Sequence, residues 1–369
     1  MIYFLINNNH QYYDLKLHLS EINKQDVSLI IVPYMLDESE LVGFGRTYTY
    51  PRAFKPRLIV QARNHIRQKR LVEKEIQPGQ ADVLFLYTEF DLLNQYIVTH
   101  FKHNGAKVYL IEDGGLATYL PFRMLNGEQL SVREKIKQWV YRLLPGLHTL
   151  RLHKLNGHTF PQMADKYIDG LCMYRPVPIR RNIPTILLRR AIKQTKISPT
   201  IGTVIFLNEP VYYIYQKPDD YLVGLKIIIQ SLSGGFDDVL FKFHPRENAF
   251  WRMRITQEVL DRFPNLKVIE DDRAIEEVIE SYRPSVAASY FSAGLLNLLD
   301  RGVEPLYLYN LLPNLSLQPV CREATAVLLE LGYNFITEFS GANSGFKSGL
   351  MSSIDNINTI SLADLVYKK

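Results

Sequence analysis

Four short stretches pair chemically competent residue types with a turn that would expose them. In Phe241-Lys242-Phe243-His244-Pro245-Arg246-Glu247 an imidazole stands between two basic residues, directly ahead of a proline. Pro245 lacks an N–H and fixes its own φ, so a strand arriving through Val239–Phe243 must end there. His244 then emerges at the carboxyl end of a strand, where open α/β sheets bind ligands. The charges of Lys242 and Arg246 suit an anionic ligand, with phosphate the first candidate. Glu112-Asp113-Gly114-Gly115 places two carboxylates at another strand end, followed by glycines that let the backbone turn sharply or approach a ligand closely. By itself this stretch reads first as a surface turn, because Asp-Gly is a common turn pair. Asn208-Glu209-Pro210 and Ser289-Tyr290-Phe291-Ser292 also follow strand-like runs. Ser292 precedes a predicted helix, where a hydroxyl can cap the free N–H groups or share them with a phosphate. Capping is the commoner use; the neighbouring histidine and serines favour the second.

The elements that carry these stretches alternate. Ile2–Ile6, Val27–Val32, Ala81–Tyr87 and Lys107–Ile111 read as strands, with helices to about Ile22, over Arg57–Ile76 and over Phe90–Phe101. In the second half, Thr203–Leu207, Val239–Phe243, Leu266–Ile269, Ser285–Ala288 and Pro305–Tyr309 read as strands. Between them lie helices at Tyr221–Leu232, Ala249–Phe263 (with Asn248 as N-cap), Ala274–Ser281 and Ala293–Leu299. Strands separated by helix-length segments predict parallel sheets covered on both faces. The expected architecture is two Rossmann-like domains, residues 1–180 and 181–369, with a cleft between them. The basic, proline-containing run Arg175–Lys196 reads as the linker, and the last helix, Ser361–Tyr367, is placed back on the first domain. Ser131–Leu144 is an amphipathic helix whose Val132, Ile136, Trp139, Val140 and Leu143 are expected to pack on the core, with contact to an anionic membrane surface as the alternative.

Composition narrows the classes. The chain has 369 residues, 47% hydrophobic and 22% charged, which fits a globular protein of two ordinary domains. No apolar run is long enough for a transmembrane helix, and Ile2-Tyr3-Phe4-Leu5-Ile6 does not look like a signal peptide. Two distant cysteines, Cys172 and Cys321, suggest neither a disulfide framework nor a metal knuckle, which fits a reducing cytoplasm. A net charge of +5 suits an anionic substrate or membrane surface without requiring nucleic acid. No P-loop, no G-x-G-x-x-G, no Asp-x-Asp and no zinc motif is present. A nucleotide sugar bound without a metal is easiest to accommodate when its leaving group has a single phosphate.

Glu112-Asp113-Gly114, then His244-Pro245, then Ser289 and Ser292, resemble the ordered motif set of bacterial sialyltransferases, which have an acidic-acidic-glycine, a His-Pro and a serine motif. The resemblance covers about ten residues. It implies a GT-B fold, CMP-sialic acid as donor, an inverting mechanism and neither a metal nor another cofactor. Asp113, or Glu112, would be the general base on the acceptor hydroxyl. His244 would assist departure of CMP, and Ser289 and Ser292 would hold its phosphate. Here Tyr290-Phe291 separates the two serines, so which of them meets the phosphate stays open. Glu277 resembles a ribose-binding glutamate, with Glu276 and Glu270 as alternatives. Pro245, Lys242, Glu209, Asn208 and Gly114 complete the expected donor site.

The implied activity is sialyl transfer to a galactoside-type acceptor on a bacterial surface glycan such as lipooligosaccharide, O-antigen or capsule. The enzyme would be cytoplasmic, with peripheral contact to the inner membrane as an option. A CMP-Kdo transferase and a non-catalytic sugar-nucleotide- or glycan-binding protein are the competing readings. Linkage and oligomeric state are not legible. Asn7–His10 and the loop around Thr47–Arg52 are positional candidates for acceptor contacts.

Overall fold

The computed structural model describes residues 1–32, 38–51, 58–113, 129–155, 158–177, 179, 181–189, 198–213, 217–244, 247–271, 273, 275–290, 292, 294–298, 301–312, 319–331 and 360–367. They form two compact units. Residues 1–113, 129–189 and 360–367 belong to the first, and residues 198–331 to the second.

The first unit opens with β1 (Ile2–Ile6), α1 (Asn9–His18), β2 (Val27–Ile31), the short α2 (Glu38–Leu41), β3 (Arg46–Thr49), α3 (Leu58–Glu75), β4 (Val83–Leu86), α4 (Leu92–His103) and β5 (Lys107–Ile111). After α5 (Val132–Arg142) and an antiparallel hairpin of β6 (Arg151–Leu155) and β7 (His158–Gln162), the chain returns to the sheet as β8 (Gly170–Met173) and β9 (Thr185–Leu187). The seven-stranded sheet is parallel throughout, in the order β3-β2-β1-β4-β5-β8-β9. All five residues of β1 are buried, as expected of a strand covered on both faces. Ile2, Phe4 and Ile6 join Leu29, Phe85, Ile111 and Cys172 in one core. From the opposite face, Tyr3 meets Phe101 of α4 edge-to-face at 4.9 Å.

The second unit runs through β10 (Thr200–Leu207), α6 (Pro218–Gly235), β11 (Asp238–Lys242), α7 (Ala249–Glu258), β12 (Leu266–Ile269), α8 (Ile275–Tyr282), β13 (Pro284–Ser289), α9 (Gly294–Leu298), β14 (Glu304–Tyr307) and α10 (Pro319–Glu330). Its five strands are parallel in the order β12-β11-β10-β13-β14. In both sheets the order reverses beside the unit's first strand, between β1 and β4 and between β10 and β13. That is the switch point where doubly wound sheets open a ligand crevice. In the second sheet Ile269, Lys242, Leu207, Ser289 and Tyr307 lie level across the five strands. The segments that follow them therefore leave the sheet side by side.

Three expectations need correction. The run read as a linker contains β9, which pairs with β8, and the buried Arg175 and Arg181. The first unit accordingly reaches past the boundary expected at 180. The supposed loop around Thr47 is the edge strand β3, missed because Arg46-Thr47-Tyr48-Thr49 is mostly exposed and carries no apolar alternation. On α5, Val132, Ile136, Trp139 and Leu143 are exposed, not in the core. The C-terminal helix α11 (Leu362–Tyr367) lies on the first unit, where Leu362 enters the core around β1. Ile360 beside it makes a parallel bridge to Leu188, just past edge strand β9.

Candidate active site

In the first unit the chemistry gathers where β1, β4, β5 and β8 end. Asn8 caps α1 by accepting from the Gln11 N–H at 2.9 Å. This holds the first turn of the helix beside the end of β5. Gln11 is fully buried, and both ends of its amide are engaged. Its Oε1 accepts from the Asn7 N–H at 2.7 Å and its Nε2 donates to Asp113 Oδ2 at 2.8 Å. Burial pushes the Asp113 carboxyl above its ordinary value, while the neighbouring His10 and the Gln11 amide pull it down and Asp14 adds to the rise. A carboxylate with a raised pKa is a better proton acceptor near neutral pH.

Glu112 is placed differently, because successive side chains alternate at a strand end. It is buried, accepts from the Tyr174 N–H at 2.8 Å and lies 3.5 Å from the Arg175 guanidinium. Glu112 thus ties β5 to β8. Gly114 lies outside the described residues. A second layer of polar groups sits near Asp113. Tyr87 and Tyr174 both donate to Asp14 Oδ2, at 3.0 and 2.7 Å, and His18 Nε2 lies 2.7 Å from the Tyr174 hydroxyl. Burial and the charge of Asp14 hold the Tyr87 phenol well above its ordinary value, so it stays protonated.

In the second unit the ends of β11, β10 and β13 bring His244, Asn208 with Glu209, and Ser289 to one edge of the sheet. His244 is half-buried, and its carbonyl accepts from the Glu247 N–H at 2.9 Å, closing the turn. Pro245 lies outside the described residues. Asn248 then caps α7, accepting from the Trp251 N–H at 2.9 Å. The buried Glu247 fixes this turn from below. It accepts from Asn208 Nδ2 at 2.9 Å and, through its other oxygen, from the Tyr212 hydroxyl. Asn208 Oδ1 in turn accepts from Tyr221 at 2.6 Å. Burial raises the Glu247 pKa, with Tyr212 and Asn208 opposing the shift.

Several residues read as donor contacts have structural partners. The Asn208 amide is spent on Glu247 and Tyr221. Lys242 is buried, and its ammonium donates to the Asp271 carbonyl. Ser289 is fully buried, its hydroxyl donating to the Leu207 carbonyl at 2.8 Å. Ser292 is half-buried immediately ahead of α9, and its carbonyl accepts from the Leu295 N–H at 3.2 Å. Glu209 is half-buried beside the end of β10. Among the glutamates, Glu276 is buried and accepts from Asn297 Nδ2 at 3.2 Å, and Glu270 is exposed and paired with Arg252 at 3.3 Å. Glu277 is half-buried in the first turn of α8. Gln11, Asp14, Tyr87, Tyr174 and Glu247 had no role assigned from sequence. The one signal was position, since Gln11, Tyr87 and Glu247 each lie within a few residues of a predicted strand end.

Among the described residues, no three or more His, Cys, Asp and Glu side chains form a group that could hold a metal ion. No helix among them is long and apolar enough to cross a membrane.

No curated protein matches this sequence at a significant level. A family model described as alpha-2,8-polysialyltransferase (POLYST) matches residues 69–299, a span that includes Asp113, His244, Ser289 and Ser292. The chain is similar in fold to a Listeria monocytogenes protein assigned as a UDP-N-acetylglucosamine 2-epimerase. The TM-score is 0.52 at 9% identity, over 88% of this chain and 81% of that one. The Neisseria meningitidis UDP-GlcNAc 2-epimerase gives a TM-score of 0.49 at 11% identity, over 88% and 85%. The lipopolysaccharide outer core galactosyltransferase WaaB gives 0.43 at 9% identity, over 83% and 80%.

Proposed function

Because the chain belongs to the alpha-2,8-polysialyltransferase family and is a glycosyltransferase with two Rossmann-like domains of GT-B type, we propose that it transfers sialic acid from CMP-sialic acid. The acceptor is a glycan that already ends in sialic acid, as the family's name suggests, on a bacterial surface polysaccharide. Asp113 takes the proton from the acceptor hydroxyl as that oxygen attacks the anomeric carbon. The bond to the CMP phosphate breaks from the opposite side, which inverts the centre. His244 donates a proton or hydrogen bond to the departing phosphate, and the Ser292 hydroxyl hydrogen-bonds another of its oxygens. No metal is needed for this sequence of events. Glu277 binds the ribose of the donor. The enzyme works at the cytoplasmic face of the inner membrane as a peripheral protein.

The observation that carries this reading is the Asp113 carboxyl. It is raised in pKa, held by Gln11, and lies within the matched span. The test is turnover of CMP-sialic acid with a sialylated oligosaccharide, scored as CMP release and product mass. Asp113→Asn and His244→Ala are each expected to cut turnover by roughly 10²–10⁴-fold while CMP binding is kept, the usual worth of one acid or base. Full turnover in both variants would falsify the assignment. Transfer to a bare galactoside but not to the sialylated acceptor would overturn the acceptor class. Stabilisation against thermal unfolding by CMP and not by UDP is expected of the donor site. CMP-Kdo in place of CMP-sialic acid tests the competing donor.

A further inference from the structure

Helix α5 is amphipathic in the wrong direction for a helix that only packs on its own domain. Val132, Ile136, Trp139 and Leu143 are spaced i, i+4, i+7 and i+11. At ~100° per residue they fall within an arc of roughly 60°. That arc faces solvent, with the four residues 74%, 57%, 62% and 64% exposed. The inward face is the polar one. Gln138 Oε1 accepts from the Leu152 N–H at 2.7 Å, and the buried Tyr141 donates to Gln61 at 2.6 Å. Tyr141 and Leu144 anchor the helix on a small core with Leu147, Leu150 and Leu152.

The exposed stripe is rimmed by basic side chains. On the same wheel, exposed Arg133 lies to one side, and exposed Lys135 and Arg142 lie to the other. The one carboxylate of the helix, Glu134, points away from it. It completes a capping box with Ser131 and lies 3.7 Å from Lys154. Four contiguous large apolar side chains cost free energy in water unless something covers them. A tryptophan in an apolar stripe between rows of arginine and lysine fits the boundary between lipid headgroups and acyl chains, where the ring sits among the headgroups and the cations meet anionic lipid.

We propose that α5 is a membrane-docking helix that lays Val132, Ile136, Trp139 and Leu143 into the surface of an anionic bilayer. The charge pattern selects lipid over a second copy of this chain, whose own α5 would bring the same basic rows against these. The proposal extends the peripheral placement above and is independent of the donor, the acceptor and the catalytic residues.

The test uses the full chain and vesicles of phosphatidylcholine with or without phosphatidylglycerol, read by co-flotation and by tryptophan emission, with no turnover required. The chain has two tryptophans. Trp251 is buried and stacked on Tyr212 at 4.1 Å, so a vesicle-induced blue shift reports Trp139. Binding and a blue shift are expected with phosphatidylglycerol and not without it. Ile136→Asp with Leu143→Asp should weaken binding by roughly tenfold or more, since affinity scales with buried apolar area. Arg133→Gln with Lys135→Gln should weaken it by roughly 30-fold, at about 1 kcal/mol per basic residue. All four positions are exposed, so both variants should keep the wild-type melting temperature and CMP release on a soluble acceptor. Absence of binding to the anionic vesicles, or binding undiminished in the aspartate variant, overturns the proposal. So does equal binding to both vesicle types, or lipid-free dimers that the aspartate variant abolishes.

Discussion

At the residue scale, the site is built by groups that do not themselves react. Gln11 clamps Asp113 through an amide whose other end is held by the Asn7 N–H. Its donation to Asp113 lowers a pKa that burial has raised, and His10 works in the same direction. The base role proposed for Asp113 requires the ionised carboxylate. On that proposal, activity is expected above its raised pKa and is expected to be lost as pH falls through it. Gln11→Leu removes one of the groups that lower this pKa. The acid limb of the pH–turnover profile should therefore move to higher pH, with little change in turnover on the alkaline plateau. His10→Gln should move the limb the same way. A limb that stays put in both variants would dissociate Asp113 from the proton transfer. On the second unit, Glu247 holds the His244 turn without an assigned part in the reaction. Glu247→Ala leaves Asn208 and Tyr212 without their acceptor in a buried site. The expected cost is about 1–3 kcal/mol of stability by chemical denaturation, together with slower turnover from a misplaced His244. Asp113 and His244 were legible as candidates because acid-Gly and His-Pro pairs mark strand ends locally. Gln11 and Glu247 were not, because their value depends on partners 102 and 39 residues away.

At the element scale, the stretch taken for a linker contributes an edge strand and a buried ion pair. Arg181 engages Glu89 at the end of β4 and Asp165 at 2.8 Å, with no part of its side chain exposed. The Met163 N–H donates to the same Glu89 at 2.8 Å. This cluster joins the β4–α4 connection to the segment between β7 and β9. Removing one partner strands a charge in the interior. Arg181→Met is expected to destabilise the first unit by about 3–5 kcal/mol, and Glu89→Gln with Arg181→Met by less than the single change. Urea unfolding of the three proteins checks both the size and the order. The basic, proline-containing composition read as a linker because sequence patterning does not show that an arginine has a buried carboxylate opposite it. For α5, the 3.6-residue period correctly predicted a helix. It could not show which face meets the domain, since a polar face can turn inward when its amides find backbone partners, as Gln138 does.

At the scale of the whole chain, residues far apart in sequence share one core. Leu362, near the C-terminus, packs with Ile2, Phe4 and Ile6 at the N-terminus, and the Ile360 N–H donates to the Leu187 carbonyl at 3.0 Å beside the sheet's edge. Covering an edge strand also protects its free backbone groups from pairing with other chains. Leu362→Ala should cost about 2–5 kcal/mol, the usual range for emptying a buried leucine site. The loss should appear in the first unit, as faster hydrogen exchange in β1 and β4, with β10 and β13 of the second unit unchanged. Uniform loss of protection across both units would instead mean that they unfold as one.

The sequence alone determined the two parallel α/β units, most of their strands, and the strand-end positions of Asp113, His244 and Ser289. Each of these follows from local periodicity and from the punctuation that proline, glycine and aspartate impose on a chain. It also carried the resemblance that the family match bears out at the coarser level of a sialyltransferase. The partners of the two carboxylates are visible only in the tertiary structure, which gives Glu112 an arginine and Asp113 a glutamine. The structure alone turned Asn208, Lys242 and Ser289 toward backbone and side-chain partners, and left the apolar stripe of α5 facing outward. Those outcomes depend on which distant groups can satisfy a buried charge, amide or hydroxyl, and a linear pattern does not encode the partner.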